Sequence, residues 1–209
     1  MKPIEEISVI IPAAGLSTRM GHSKLVLPWG STTIIGQIIK TFSLSNINEI
    51  LIVINPQNYE LKDHLEFLKN KFPIQVIYNP ETNCGTMLTS IQIGLKSVRN
   101  KCKAAMIALG DQPQVQLKTI EKIIAEFCQF KPELIAPSFN MRRGHPWLLS
   151  SLVFNEILNM EPNSSARDLL KTYSSKIHYV NVDNDSILQD IDTPLDYERA
   201  LINFKNNSE

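Results

Sequence analysis

Short apolar runs alternate along the chain with stretches in which apolar residues recur every three or four positions. The run ISVII at residues 7–11 is typical of a strand buried on both faces of a parallel sheet. The spacing of Ile35, Ile38 and Phe42 indicates an amphipathic helix packed on a core. Repeated along the chain, this alternation predicts an α/β fold of three layers, a mostly parallel sheet with helices on both faces.

The same pattern gives approximate bounds for each element. Strands are predicted at residues 7–12, 49–54, 74–78, 104–109, 133–136 and 177–182. Helices are predicted at residues 33–44, 59–70, 87–98, 117–127, 150–158, 166–173 and 194–204. Neither an internal repeat nor a linker interrupts the alternation, so we expect residues 1–209 to form a single domain.

The loop at residues 13–24, with the sequence AAGLSTRMGHSK, directly follows the first predicted strand. Open α/β sheets bind ligands at the carboxyl ends of their strands. Small residues at the start of the loop let a ligand approach the backbone, and Gly15 and Gly21 tolerate a left-handed conformation. The loop is therefore predicted to contact a ligand.

Two cations in this loop indicate the kind of ligand. Arg19 and Lys24, together with exposed backbone N–H groups, are suited to a polyanion, and the triphosphate of a nucleotide is the natural candidate. The spacing is neither that of a P-loop nor that of G-x-G-x-x-G. A turn carrying two solvated cations is the alternative interpretation.

Asp111 follows the apolar predicted strand at residues 104–109. The carboxyl ends of parallel strands share one sheet edge, so this aspartate is expected near the 13–24 loop and the 79–90 loop. Mg²⁺ prefers one or two carboxylates together with substrate phosphates, a role that Asp111 suits. A structural turn before Pro113 is the alternative.

Asp190 and Asp192 precede the last predicted helix and could supply a second carboxylate. Helix capping competes with that role, because Asp192 or Thr193 could cap a helix that has Pro194 in its first turn. We expect one of the two acids to bind metal, with Asp192 the nearer of the two.

The 13–24 loop resembles the signature loop of the MobA-like nucleotidyltransferases and matches it at every fixed position. Four further segments resemble this family in the family's own order, and within it the molybdenum cofactor cytidylyltransferases most of all. They are LGDQP at residues 109–113, residues 85–95, RGHP at residues 143–146, and DIDTP at residues 190–194.

The resemblance implies a nucleotide-diphospho-sugar-transferase-like fold, which is Rossmann-like, and a set of site residues. Arg19, Lys24 and Asp111 would be catalytic, Asp111 with Asp192 and Asp190 would bind Mg²⁺, and Gly144, His145 and Pro146 would lie on the acceptor side. The nucleotide-binding residues would be Pro12, Ala13, Ala14, Gly15, Arg19, Lys24, Gly85, Ser90 and Gly110.

The resemblance implies Mg²⁺-dependent transfer of CMP from CTP, or of another nucleotide, to the phosphate of molybdopterin, with release of pyrophosphate. A phosphate monoester is largely ionised at pH 7, so this attack requires no general base. A sugar or polyol phosphate is the alternative acceptor. A noncatalytic molybdenum cofactor carrier is a further alternative, although the combination of Arg19, Lys24, Asp111 and Asp192 argues against it.

The composition argues against several kinds of partner and site. Lys and Arg total 21, as do Asp and Glu, so the chain lacks the basic excess expected of a nucleic-acid partner. Its three cysteines form no C-x-x-C pair, which argues against a disulfide framework or a zinc site. With neither a signal peptide nor a membrane span in the pattern, we expect a cytoplasmic protein. The resemblance implies a molybdoenzyme as its client.

Overall fold

A computed structural model describes residues 6–15, 23–80, 86–161 and 164–206. Most of its strands join one sheet of eight strands, in the order β10-β7-β9-β6-β1-β4-β5, with β8 paired to β7, while β2 and β3 form a separate hairpin. The strands are β1 (Ile7–Ala13), β2 (Pro28–Trp29), β3 (Thr32–Thr33), β4 (Glu49–Ile54), β5 (Ile74–Tyr78), β6 (Ala104–Ile107), β7 (Leu134–Phe139), β8 (Arg142–Arg143), β9 (Trp147–Ser150) and β10 (Ile177–Asn181).

The centre of the sheet is parallel, with β1 between β4 and β6. Ile10 of β1 is aligned with Leu51 of β4 and with Ile107 of β6. The strand β9 runs antiparallel to both of its neighbours, β6 and β7. The carboxyl ends of β1, β4 and β6 therefore lie along one edge of the sheet.

Helices cover both faces of the sheet, which confirms the predicted three-layer architecture. They are α1 (Ile34–Ser43), α2 (Tyr59–Lys69), α3 (Met87–Ser97), α4 (Leu117–Phe130), α5 (Phe154–Leu158), α6 (Ala166–Thr172) and α7 (Pro194–Asn206). Because successive strand residues point to opposite faces, Val9 and Ile11 pack in the core beneath α1, α2 and α4. Ile10 packs in the core beneath α3, α5 and α6.

The predicted helix at residues 150–158 is wrong at its start. Ser150 ends β9, residues Ser151–Val153 form a 3-10 turn, and the α-helix spans only Phe154–Leu158. The run WLLS at residues 147–150 is too short to show the periodicity of a strand or of a helix. It forms a strand because it pairs with β6 and β7. The predicted strand at residues 104–109 also ends early, at Ile107.

The last helix packs against the hairpin that follows Lys24. The Tyr197 hydroxyl donates to the Pro28 carbonyl over 2.6 Å, and the Phe204 and Trp29 ring centroids lie 5.0 Å apart. Gly30 adopts φ 57° beside Phe204, where a side chain would be both strained and crowded. These contacts join the segment after Lys24 to the helix after Asp192.

None of the helices in the described part of the chain has the length and apolar character that a membrane span requires.

Candidate active site

Lys24 forms ion pairs with two carboxylates at the carboxyl edge of the sheet. Its Nζ lies 2.6 Å from Asp111 Oδ2 and 3.0 Å from Asp192 Oδ1. The Lys24 side chain is 15% exposed and that of Asp111 21%. Burial alone would lower the pKa of Lys24, but the charges and hydrogen bonds of Asp111, and then of Asp192, raise it above its ordinary value.

Asp192 is not needed as a helix cap. The Thr193 side chain accepts from the Asp196 backbone N–H over 3.2 Å, and the Asp196 carboxylate accepts from the Thr193 backbone N–H over 2.9 Å. This reciprocal pair is a capping box for α7. Asp192, one residue earlier, is therefore available to bind a cation, and this removes the competing structural role considered from the sequence.

Backbone and amide contacts join the two acidic segments. The Ile191 N–H donates to the Asp111 carbonyl over 3.1 Å. Gln112 Nε2 donates to Asp190 Oδ1 over 2.7 Å and to the Ile187 carbonyl over 3.3 Å. Burial and then the Asp111 charge raise the pKa of Asp190, so its environment disfavours ionisation. Gln112 thus holds Asp190 while the Ile191 contact holds the neighbouring Asp192 segment.

The residues on either side of Lys24 are held in place by other contacts. The Ser23 N–H donates to Glu60 Oε2 over 3.2 Å, and Asn58 Nδ2 donates to Ser23 Oγ over 3.3 Å. Leu25 is buried, and a Cβ placed on Gly110 would lie 3.3 Å from its side chain. The absence of a side chain at Gly110 therefore lets the segment around Lys24 approach Asp111.

The start of the signature loop leaves room for a ligand. Pro12 and Ala13 end β1, Ala14 is half-buried, and Gly15 is exposed. A Cβ placed on Gly15 would have no atom within 4 Å, and in the described part of the chain Gly30 is the glycine with a left-handed backbone. Gly15 thus provides open space and does not adopt the left-handed conformation that it permits.

Two of the predicted nucleotide-binding residues, Arg19 and Gly85, lie outside the described residues. Ser90 lies in the first turn of α3 and is buried, and its Oγ accepts from Asn79 Nδ2 over 3.4 Å. Asn79 follows β5, so this pair lies at the same sheet edge as Lys24 and Asp111.

The predicted acceptor-side segment packs against the residues that precede Asp190. The His145 N–H donates to the Ile187 carbonyl over 3.1 Å, and a Cβ on Gly144 would collide with that same carbonyl. Pro146, the next residue, is buried. Gly144 thus permits a close approach between the acceptor-side segment and the acidic segment.

The His145 ring is a packed, neutral group. It stacks on Trp147 with 4.1 Å between centroids, and its Nε2 is buried without a hydrogen-bond partner in the described part of the chain. Burial, and secondarily the charge of Arg143, lowers the pKa of His145 to about 3. The residue as a whole is half-buried, with its stacked ring enclosing the Nε2 atom.

The Asp111 and Asp192 pair fits a hard divalent cation. A single ammonium group already contacts one oxygen of each carboxylate, so a cation can be shared between them. Oxygen ligands of this kind suit Mg²⁺, which keeps waters and substrate phosphates as its remaining ligands. Among the described residues, no group of three His, Cys, Asp or Glu side chains could hold a metal.

Comparison with known proteins identifies the family of the chain. The family model of the MobA-like NTP transferase domain matches residues 9–177. The chain belongs to this family. Molybdenum cofactor cytidylyltransferase of Escherichia coli strain K12 is 31% identical over 195 residues, which are 93% of this chain and 95% of the relative. The chain is therefore a nucleotidyltransferase, and the predicted family and enzyme class are confirmed.

Solved structures of the same fold include two neighbours of low sequence identity. Rv0371c of Mycobacterium tuberculosis H37Rv, in a complex with manganese, has a TM-score of 0.74 at 22% identity, covering 94% of this chain and 98% of that one. The 4-diphosphocytidyl-2C-methyl-D-erythritol synthase of Anaerococcus prevotii has a TM-score of 0.75 at 20% identity, covering 96% of each chain. These likenesses confirm the fold of this MobA-like chain.

Sequence reasoning missed the residues that hold the site together. Gln112 lies within the LGDQP segment, and only its contact with Asp190 reveals a role. Asn58 is the cap of α2, with its side chain accepting from the Leu61 N–H over 3.1 Å. An asparagine directly before a helical pattern is a cap signal, but its second contact, to Ser23, joins residues 35 positions apart.

Proposed function

We propose that this protein transfers CMP from CTP to the phosphate of a molybdopterin-type acceptor, releases pyrophosphate and requires Mg²⁺. The observation that carries the proposal is the meeting of Lys24, Asp111 and Asp192 at the sheet edge where Gly15 leaves open space. The 31% identical relative, a molybdenum cofactor cytidylyltransferase, supports the choice of nucleotide and acceptor.

The site residues would have two roles, neutralising the charge of the triphosphate and positioning the reacting groups. Lys24 and Arg19 would neutralise the triphosphate, Lys24 as a point charge and Arg19 through a two-pronged contact. Asp111 and Asp192, with Asp190 close to them, would hold Mg²⁺, which supplies positive charge against the phosphate oxygens. The acceptor oxygen would attack the α-phosphorus as the bond to pyrophosphate breaks, and catalysis then depends on orientation and electrostatics.

The loop sequence favours a pyrimidine nucleotide. The methyl group of Ala14 narrows the space above the backbone, and a purine needs that space more than a pyrimidine does. Ser90 would add a contact near the base or ribose. Gly144, His145 and Pro146 would border the acceptor, and the loaded cofactor would pass to a molybdoenzyme client in the cytoplasm.

A polyol phosphate is the second candidate acceptor, because a neighbour of the same fold is a 4-diphosphocytidyl-2C-methyl-D-erythritol synthase. The acceptor side of this chain also departs from the family. Many cofactor cytidylyltransferases have G-D-x-G-A-R before the helix that corresponds to α6, whereas this chain has PNSSAR at residues 162–167. More of the family's pattern is therefore present for the nucleotide than for the acceptor.

The test is pyrophosphate release from each of CTP, GTP, ATP and UTP with Mg²⁺. Each nucleotide is assayed alone, with a molybdopterin-type acceptor, and with 2-C-methyl-D-erythritol 4-phosphate. We expect release from CTP that depends on the molybdopterin-type acceptor. Release only with the polyol phosphate would select the second candidate. Nucleotide or cofactor binding without release under any condition would support the noncatalytic carrier.

A further inference from the structure

One ammonium group contacts both carboxylates to which we assign the metal. Lys24 Nζ contacts Asp111 and Asp192 at 2.6 and 3.0 Å, and the Lys24 side chain is 15% exposed. It is thus held between the acids and does not extend into solvent. A divalent ion bound by the same two oxygens would lie where the ammonium group now lies, and two cations at one position repel each other.

We propose that Lys24 is an internal counter-ion that competes with the divalent metal for Asp111 and Asp192 and is drawn away by the triphosphate. This rests on the proposed function, because the triphosphate is the new partner of the ammonium group. Lysine suits an exchange of partners, since a compact charge on a flexible four-carbon stem can swing between two sites.

The exchange requires only the side chain to move. Ser23 is held by Glu60 and Asn58, and Leu25 is buried, so the backbone on both sides of Lys24 is anchored. Asp111 and Asp192 remain joined through the Ile191 N–H and the Asp111 carbonyl over 3.1 Å. The two carboxylates are therefore already assembled for the metal when the ammonium group leaves.

The consequence is a coupling between metal and nucleotide. Metal alone must displace an ammonium group that already contacts both carboxylates, so it binds weakly. Nucleotide removes Lys24 from the acids, so metal then binds more tightly, and by reciprocity metal tightens nucleotide binding by the same factor. The chain thereby favours the metal together with the nucleotide over the metal alone.

The test measures Mn²⁺ binding without nucleotide, from the electron paramagnetic resonance signal of free Mn²⁺. Lys24→Met and Lys24→Gln both remove the counter-ion, and we expect each to bind Mn²⁺ at least about tenfold more tightly than the wild type, within the usual range of about 5–150-fold for coupled sites. Lys24→Arg keeps the charge and should bind Mn²⁺ weakly. Lys176→Met, which removes an exposed partner of Glu133, is the matched control and should equal the wild type.

The counter-ion proposal would be overturned if Lys24→Met and Lys24→Gln both bound Mn²⁺ no more tightly than the wild type. A second measurement, CTP binding in EDTA, separates that failure from failure of the proposed function. We expect the wild type to bind CTP without metal and Lys24→Met to bind it at least about tenfold more weakly. Absence of CTP binding to the wild type, with or without Mn²⁺, would contradict the proposed function, whereas the Mn²⁺ comparison tests the role of Lys24 independently of CTP.

Discussion

Carboxylates at the two edges of the sheet have opposite surroundings, one edge being formed by the amino ends of the parallel strands and the other by their carboxyl ends. At the amino edge, Glu49 begins β4 with its side chain 2% exposed. It accepts from Ser8 Oγ over 2.9 Å and from Gln75 Nε2 over 2.8 Å, and Arg99 Nε lies 3.4 Å away. At the carboxyl edge, Asp111 shares the single ammonium group of Lys24 with Asp192.

The difference extends to the surroundings of the two acids. In the segments that meet at the Ile187 carbonyl or follow Asp111, four buried polar atoms have no hydrogen-bond partner within the described chain: Gln112 Oε1, Gln114 Oε1, His145 Nε2 and Ser186 Oγ. Buried polar groups are normally satisfied, and exceptions mark water, ions or function. The Glu49 carboxylate at the amino edge is satisfied by the chain itself, whereas we infer that a ligand completes the hydrogen bonds at the carboxyl edge.

The largest expected effect comes from Asp111→Asn, which keeps the size of the side chain and removes its charge. Turnover should fall by at least about 10²-fold, as on loss of one key electrostatic group, while the thermal midpoint changes little. Steady-state kinetics across Mg²⁺ concentrations, with exposed Asp63→Asn as control, measure this effect. Full turnover at limiting Mg²⁺ would show that Asp111 is not a metal ligand.

Glu49→Gln should produce the reverse pattern. The amide matches only part of the hydrogen-bond set around Glu49, so the free energy of unfolding should fall by about 1–3 kcal/mol. Turnover per folded molecule should equal that of the wild type. Urea unfolding and kinetics on the same preparation test both statements. A kinetic defect in fully folded Glu49→Gln would remove the distinction between the two edges.

His145 should make the protein acid-sensitive through its lowered pKa. As pH falls below about 6.5, the unfolded chain binds a proton at this residue and the folded chain does not until about pH 3. The free energy of unfolding should therefore decrease by up to about 1.4 kcal/mol per pH unit, or about 2 kcal/mol by pH 5. His145→Phe, which keeps a ring against Trp147, should lack this component. Equal pH dependence of unfolding in the two proteins would refute it.

The last expected effect is on nucleotide choice. Removing one methyl group changes discrimination by about 1–3 kcal/mol, so Ala14→Gly should relax a preference for CTP over GTP without reversing it. Competition kinetics with both nucleotides measure the ratio directly. A wild type that favours GTP would contradict the argument, and an unchanged ratio in Ala14→Gly would contradict its mechanism.

Elements with a strong local pattern were predictable from the sequence, and contacts between distant segments were not. The strands at Glu49–Ile54 and Ile74–Tyr78 have the predicted bounds, because apolar runs ending in turn residues mark buried strands. The strand Trp147–Ser150 was missed because it depends on its neighbours. The choice between Asp192 and Thr193 as helix cap required the contact with Asp196, since both residue types suit that position.

The proposal that a nucleotide and a metal bind at the carboxyl edge is tested most directly by measuring how much CTP and Mg²⁺ together raise the free energy of unfolding. At a ligand concentration of about 100 times Kd, the free energy of unfolding should rise by about 2.7 kcal/mol. We predict this increase in the wild type and in Glu49→Gln, and loss of its Mg²⁺-dependent part in Asp111→Asn. Equal stabilisation of Asp111→Asn and the wild type, or none in the wild type, would contradict the assignment of this edge as the nucleotide and metal site.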